Sequence, residues 1–139
     1  MKYALPWLKT EGGSLIVVSS VNGTRMFSNS GATAYGCSRA AQVAFTKMTA
    51  IELAQHRVRI NCIFPGWIRS EIRDNTDRRD LTEVRYPVGY PEGFIPLTGG
   101  KPGTGHQVAQ LILFLASDLS DHITGTEMWI DGAESLLQG

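Results

Sequence analysis

Three side chains that together resemble a proton-transfer site stand at the ends of predicted secondary-structure elements. Tyr35 and Arg39 are four residues apart at the start of a predicted helix, so they share one face, about 6 Å apart along the axis. The cation and the positive end of the helix both favour the deprotonated phenol, as an acid or base requires. Ser20 ends a predicted strand and offers a second hydroxyl. Because ligands gather beyond the carboxyl ends of parallel strands, this edge is a candidate proton-transfer site.

The elements that must hold these side chains follow the order of an α/β protein. Residues 15–18 form a continuous run of branched apolar side chains, typical of a strand buried on both faces. The segments RVRINCIF and TGTEMWIDG predict two further strands, and helical periodicity covers residues 33–55. Thr104 and Gln107 form a predicted capping box at the start of a later helix. Right-handed crossovers then predict a three-stranded parallel sheet with flanking helices.

The composition bounds the size and the partners of the protein. The chain has 139 residues, of which 42% are hydrophobic, which predicts one domain with a core. Lys and Arg together number 13, as do Asp and Glu, so no nucleic acid and no anionic membrane is expected as a partner. The two cysteines, Cys37 and Cys62, lack metal-site spacing, so no metal site is expected. With no transmembrane run or signal peptide in the sequence, a soluble, cytoplasmic protein is predicted.

Four stretches, in order, resemble the C-terminal half of the short-chain dehydrogenases/reductases. GGSLIVVSSVNG resembles the strand that carries the family's catalytic serine, and YGCSRAAQVAFTKMTAIELA resembles the helix that carries its Y-x-x-x-K motif. VRINCIFPGWIRS resembles the family's Pro-Gly stretch, and FLASDLSDHITGTEMWIDGA its terminal helix and strand. The resemblance covers nearly the whole chain. It implies an α/β fold equivalent to the second half of a Rossmann-type domain.

The resemblance also implies an activity, namely hydride transfer between NAD or NADP and a small-molecule alcohol or ketone. Ser20 would hydrogen-bond the substrate oxygen, Tyr35 would give or take the proton, and Arg39 would be the catalytic cation beside it. Trp67 and the loop over residues 69–105 would cover the substrate. The nicotinamide end of the cofactor would be held by the Pro-Gly turn and the residues after it: Pro65, Gly66, the backbone of Ile68 and the hydroxyl of Ser70.

The chain departs from the family's pattern in three ways. Arg39 stands where the family has lysine, and an arginine keeps the positive field on Tyr35 without being able to relay a proton. Ser20 and Tyr35 are 15 residues apart, slightly farther than the family pattern. The family's glycine-rich phosphate turn belongs upstream, and 19 residues before Ser20 cannot contain it. The chain alone is therefore expected to be inactive and to bind neither NAD nor NADP.

A non-catalytic assembly or binding module that reuses the fold remains an alternative to the enzyme. In either case a homo-oligomer is expected, because the strand over residues 14–20 becomes an exposed, apolar edge. An apolar stripe on the 33–55 helix should also be covered; it consists of Ala41, Ala44, Phe45, Met48 and Ile51. The whole is predicted to be one truncated domain, made of a remnant helix (1–13), a strand-helix-strand unit (14–70), a substrate-loop-like segment (71–105), and a terminal helix and strand (106–139).

Overall fold

The computed structural model describes residues 1–72, 75–77, 79, 81, 84 and 94–137. Within them the chain runs α1 (Leu5–Glu11), β1 (Gly13–Val18), α2 (Thr33–Ala54), β2 (Val58–Pro65), α3 (Gly105–Ala116) and β3 (Glu127–Ile130). Short 3-10 turns lie at Val21–Gly23, Pro96–Thr98, Asp118–Ser120 and Glu134–Leu136. The predicted α/β fold is confirmed.

The three strands form one parallel sheet in the order β1-β2-β3. Val18 at the end of β1 lies opposite Ile63, and Pro65 at the end of β2 lies opposite Ile130 at the end of β3. The strands therefore finish at a common edge. The segments that leave this edge contain Ser20 after β1 and Gly66 after β2.

The sheet has helices on both faces, and β2 shows which residues meet which helix. Its alternate side chains pack with α1 and α2 in two apolar clusters: Val58 and Ile60 in one, Cys62 and Phe64 in the other. The intervening Arg59 points to the face covered by α3, because successive side chains of a strand alternate between faces. Every second side chain of β2 thus packs on the face of the sheet that α1 and α2 cover.

Arg59 joins the sheet to the carboxyl end of α3. Its Nη1 donates to the carbonyl of Leu115 at 2.8 Å and to Ser120 Oγ at 2.7 Å, and its Nη2 donates to the carbonyl of Ser117 at 3.1 Å. A helix leaves its last carbonyls without intrahelical partners, and a cation there also opposes the helix dipole. Arg59 therefore fixes the α3 end from which the chain continues to β3.

The apolar stripe predicted on α2 does not face the sheet. Phe45, Met48 and Ile51 are 43%, 67% and 82% exposed. The side of α2 against the sheet is formed instead by Thr46, Thr49, Ala50 and Leu53. Both threonine hydroxyls donate to carbonyls one turn earlier in α2, so they are buried without unsatisfied donors.

The first helix is shorter than the predicted remnant helix over residues 1–13, since α1 covers Leu5–Glu11. Pro6 lies in its first turn, where proline costs no hydrogen bond. Gly12, at φ 81°, ends α1. The capping box of α3 is present, with Thr104 and Gln107 bonded in both directions. Among the described helices, none is long and apolar enough to cross a membrane.

Candidate active site

Ser20 begins the turn that follows β1 and is only 6% exposed. It is the N-cap of the 3-10 turn Val21–Gly23, and its Oγ accepts the N–H of Asn22 at 3.3 Å. The same hydroxyl donates to Asn22 Oδ1, also at 3.3 Å. The hydroxyl proton is therefore held by a neighbouring side chain that can release it when a better acceptor arrives.

The neighbouring Ser19 has a different role. Its hydroxyl donates to the backbone carbonyl of Arg39 at 3.0 Å, and its N–H donates to the carbonyl of Ile63 at 2.9 Å. Ser19 thus ties the end of β1 to α2 on one side and to β2 on the other. Because the Ser19 hydroxyl is already bonded to the backbone of α2, Ser20 is the better candidate for the catalytic serine.

Two glycines allow the backbone of the Ser20 turn to pack directly against α2. A Cβ at Gly23 would lie 2.7 Å from the Cβ of Arg39 and 2.9 Å from the backbone nitrogen of Ala40. A Cβ at Gly36 would lie 3.3 Å from the carbonyl oxygen of Asn22. The strand end and the first turns of α2 are therefore in direct contact through positions that have no side chain.

Tyr35 and Arg39 lie together at the start of α2. The guanidinium carbon of Arg39 is 4.6 Å from the centre of the Tyr35 ring, within cation–π range. Arg39 Nη1 donates to the carbonyl of Val18 at 3.3 Å and to Gln42 Oε1 at 3.4 Å. Among the residues that the structure describes, its buried Nε has no hydrogen-bond partner. The cation therefore contacts the face of the tyrosine ring and the end of β1.

The structure brings the Ser20 turn against the helix that carries Tyr35, but the two hydroxyls are not hydrogen-bonded to each other in the described part of the chain. Ser20 is paired with Asn22. Tyr35 is 36% exposed, so its ring is open to an incoming molecule. A substrate oxygen that reached both hydroxyls would replace the Asn22 contact of Ser20.

Of the four residues expected to hold a nicotinamide, Pro65 ends β2 and the other three follow it at the same edge. Gly66 donates its N–H to the carbonyl of Ile130 at 3.2 Å. Ile68 forms a parallel bridge with Gly103, in which Gly103 N–H donates to Trp67 O and Gly103 O accepts the N–H of Arg69, both at 2.9 Å. Gly103 uses both of its own groups in this bridge, so the N–H and C=O of Ile68 point away from it.

Pro65 and Ser70 flank this segment. Pro65 ends β2 and is partly buried, whereas Ser70 is exposed. Much of the predicted substrate loop, residues 71–105, lies outside the described residues. Its last part is described, and there Ile95 is buried and Leu97 N–H donates to the carbonyl of Gly132 at 3.1 Å. The loop therefore returns to the sheet beside the turn that follows β3.

Sequence reasoning missed Glu134, which lies directly beneath the Pro65–Gly66 turn. Its Oε2 accepts the N–H of Trp67 at 2.6 Å, and the residue is 6% exposed. An acidic residue in a short polar stretch after a strand is usually solvated, so no sequence signal marks it. In the described part of the chain, no group of three or more His, Cys, Asp or Glu side chains could hold a metal ion.

Comparison with known proteins identifies the origin of this arrangement. A sequence model of the family described as enoyl-(acyl carrier protein) reductase matches residues 1–133. The chain belongs to the short-chain dehydrogenase/reductase family. It superimposes on a 3-ketoacyl-ACP reductase from Sinorhizobium meliloti 1021 with a TM-score of 0.85 and 45% identity, over 96% of this chain and 52% of that one.

Relatives of the short-chain dehydrogenase/reductase family are about twice as long as this chain. The oxidoreductase UcpA of Salmonella typhimurium is 35% identical over 97% of this chain and 51% of its own length. The 3-oxoacyl-[acyl-carrier-protein] reductase FabG of Thermotoga maritima is 38% identical over 90% of this chain and 46% of its own length. The chain thus corresponds to the C-terminal half of such a protein, and the predicted family is confirmed.

Proposed function

We propose that this chain is the catalytic half of a short-chain oxidoreductase that interconverts a small-molecule alcohol and ketone with NAD(H) or NADP(H). It would act when joined to a dinucleotide-binding half like that of its relatives. The observation that carries the proposal is the direct packing of the Ser20 turn against the first turns of α2. This packing supports a common site for the hydroxyls of Ser20 and Tyr35, and Ile68 follows β2 at the same edge of the sheet.

The proposed chemistry of the chain is one hydrogen bond and one proton transfer. In the reducing direction Ser20 would turn its hydroxyl from Asn22 to the ketone oxygen, which gains negative charge as the reaction proceeds. Tyr35 would then donate its phenolic proton to that oxygen, and in the oxidising direction the same group would remove it. A bound nicotinamide would supply or accept the hydride at the carbon.

The residues near β2 suit the nicotinamide end of the cofactor and not its phosphates. The Pro65–Gly66 turn brings backbone close to the site, the N–H and C=O of Ile68 face away from Gly103, and Ser70 adds an exposed hydroxyl. A pyrophosphate requires a glycine-rich turn between a strand and a helix. The glycines at 99–105 follow a 3-10 turn instead. We therefore expect titration of the chain alone with NADH or NADPH to give no binding in the low micromolar range.

The test is a fusion of this chain to the dinucleotide-binding half of a relative, assayed by the absorbance of reduced nicotinamide with a panel of small ketones. Tyr35→Phe should lower turnover by at least about 100-fold, because it removes the proton donor. Tyr3→Phe makes the same chemical change at an 88% exposed tyrosine. It should leave turnover unchanged. A fusion that turns over ketones equally well with Tyr35→Phe would refute the proposed role.

The arrangement of Arg39 favours a second candidate, a non-catalytic assembly module. Its guanidinium bonds the end of β1, and its Nε has no hydrogen-bond partner within the described part of the chain, as expected where chemistry no longer selects lysine. Arg39→Lys in the fusion separates the two candidates. If the chain descends from an active enzyme, lysine should raise turnover by restoring a group that can relay protons. A folded fusion that binds cofactor but turns over no ketone, with or without lysine, would favour the module.

We also propose a cytoplasmic location and self-association. Cys37 and Cys62 are both free thiols, as in proteins of a reducing compartment. In the described part of the sheet, β1 pairs only with β2, so its other edge is open. The exposed side of α2 adds the apolar side chains Phe45, Met48 and Ile51. A second copy of this chain would cover both surfaces.

A further inference from the structure

The peptide groups after β2 are held on two sides, which leaves Ile68 in a defined orientation. On one side Gly103 binds the carbonyl of Trp67 and the N–H of Arg69, both at 2.9 Å. The remaining backbone group of Trp67 is its N–H, and this group points to the opposite side of the segment. The orientation of the Ile68 peptide therefore depends on what receives the N–H of Trp67.

That acceptor is the carboxylate of Glu134. Its Oε2 is 2.6 Å from the Trp67 nitrogen, a short bond of the kind expected when the acceptor is charged. The absence of a side chain at Gly66 makes the approach possible, because a Cβ there would lie 2.5 Å from Glu134 Oε2 and 2.7 Å from Asp131 Cβ. Glu134 thus lies against the backbone of the Pro-Gly turn.

Asp131 shapes the turn that delivers Glu134 to this position. One oxygen of its carboxylate accepts the N–H of Ala133 at 3.1 Å, and the other accepts the N–H of Ser135 at 3.0 Å together with the Ser135 hydroxyl. Ala133 has φ 72°, a left-handed conformation that a non-glycine residue adopts only when its surroundings impose it. These hydrogen bonds fix the turn after β3, which holds the buried carboxylate of Glu134 in place.

We infer that Glu134 is a positioning residue, which fixes the Trp67–Ile68 peptides so that Ile68 presents its backbone polar groups to the carboxamide edge of a nicotinamide. The inference rests on the proposed function for the identity of that ligand. Glu134 acts through the protein backbone, by its bond to Trp67. Its contribution is geometric, since a loop held on both sides loses less conformational freedom when a ligand binds.

The first experiment measures backbone amide hydrogen exchange in the chain by NMR. Glu134→Ala should speed exchange at Trp67 about tenfold or more relative to Cys62 and Phe64 in β2, because the N–H of Trp67 loses a charge-assisted hydrogen bond. Glu134→Gln keeps an acceptor oxygen and should restore most of the protection, which also provides a folded variant if alanine unfolds the chain. Glu52→Gln, at an exposed position of α2, is the control. Unchanged relative exchange in both Glu134 variants would overturn the inference.

The second experiment uses the fusion with a dinucleotide-binding half. Glu134→Gln should raise KM for NADH or NADPH about fivefold to tenfold, the effect of weakening one hydrogen bond to a charged group. The turnover number and the KM for the ketone should change less than about twofold. A larger change in the ketone KM than in the cofactor KM would overturn the inference. A wild-type fusion without nicotinamide-dependent turnover would refute the proposed function, and the exchange result would still decide whether Glu134 holds the peptides.

Discussion

Replacement of Gly23 by alanine should push the Ser20 turn away from α2. The added Cβ would lie 2.7 Å from Arg39 Cβ, 2.8 Å from Arg39 C and 2.9 Å from the backbone nitrogen of Ala40. Two of these atoms belong to the helix backbone, so no rotamer change relieves the overlap. Carbon atoms pack best about 3.5–4.0 Å apart, and the two segments must therefore separate by roughly 1 Å.

The expected loss of stability follows from that separation. Overpacking of this kind costs about 1–3 kcal/mol. The hydrogen bond from Ser19 Oγ to the carbonyl of Arg39, now 3.0 Å, would stretch and contribute a further loss of about 1 kcal/mol. We expect a decrease of about 2–4 kcal/mol in the free energy of unfolding. For a chain of this size each kcal/mol lowers the thermal midpoint by about 4 °C.

Chemical denaturation of the wild type and the variant measures this loss, and Gly105→Ala is the matched control. No atom lies within 4 Å of a Cβ built at Gly105, which is the first residue of α3. Alanine there should leave stability unchanged or raise it by up to about 1 kcal/mol through helix propensity. A Gly23→Ala variant within about 0.5 kcal/mol of wild type, the range of ordinary surface substitutions, would refute the close packing on which the active-site geometry depends.

Three further predictions follow from the structure. Arg59→Met should lower the free energy of unfolding by about 3 kcal/mol, because the carbonyls at the end of α3 lose a charged donor; Arg57→Met, at an exposed arginine nearby, should change it little, and equal effects would contradict the capping role. Burial raises the pKa of the Cys62 thiol above its ordinary 9.0, so the folded state retains the proton longer than the unfolded state. The resulting stability is present below pH 9.0 and is lost as pH rises towards the folded pKa. Urea unfolding at neutral and alkaline pH should show this loss in the wild type and not in Cys62→Ala, and identical pH slopes would contradict it. Light scattering of the purified chain should show a dimer or larger assembly, whereas a well-folded monomer at micromolar concentration would contradict the proposed self-association.

The sheet and the helix caps could be predicted because local sequence determines them. The continuous apolar run at residues 15–18 indicated a strand, although β1 is only partly buried and not buried on both faces as expected. The two-way bonding of Thr104 and Gln107 requires only four consecutive residues. The face of α2 could not be predicted in this way. The stripe that contains Phe45, Met48 and Ile51 is exposed, whereas the buried side includes Thr46 and Thr49, whose hydroxyls bond the helix itself. Periodicity reveals an apolar stripe but does not reveal whether the chain's own sheet or another surface covers it.

Sequence motifs name Ser20, Tyr35 and Arg39, whose catalytic roles stay predictions, whereas contacts between distant segments were missed. Ser20, Tyr35 and Arg39 stand within one strand-to-helix unit, so their proximity follows from its topology. Glu134 reaches Trp67 from 67 residues away in sequence. Such a contact depends on the strand order and on the missing side chain at Gly66, and neither can be derived from the residues around Glu134.

The all-parallel sheet has a consequence for how the chain folds. In the register of the sheet, Gly13 of β1 pairs with Val58 of β2, and Cys62 of β2 pairs with Glu127 of β3. The paired residues are therefore 45 and 65 positions apart in the chain. Closing loops of this length costs entropy before any sheet contact offsets it, and parallel sheets accordingly fold slowly. During synthesis β1 emerges before β2 and cannot pair with it until β2 has left the ribosome. Production of the folded chain should therefore improve with slower translation or with a chaperone that covers apolar strands.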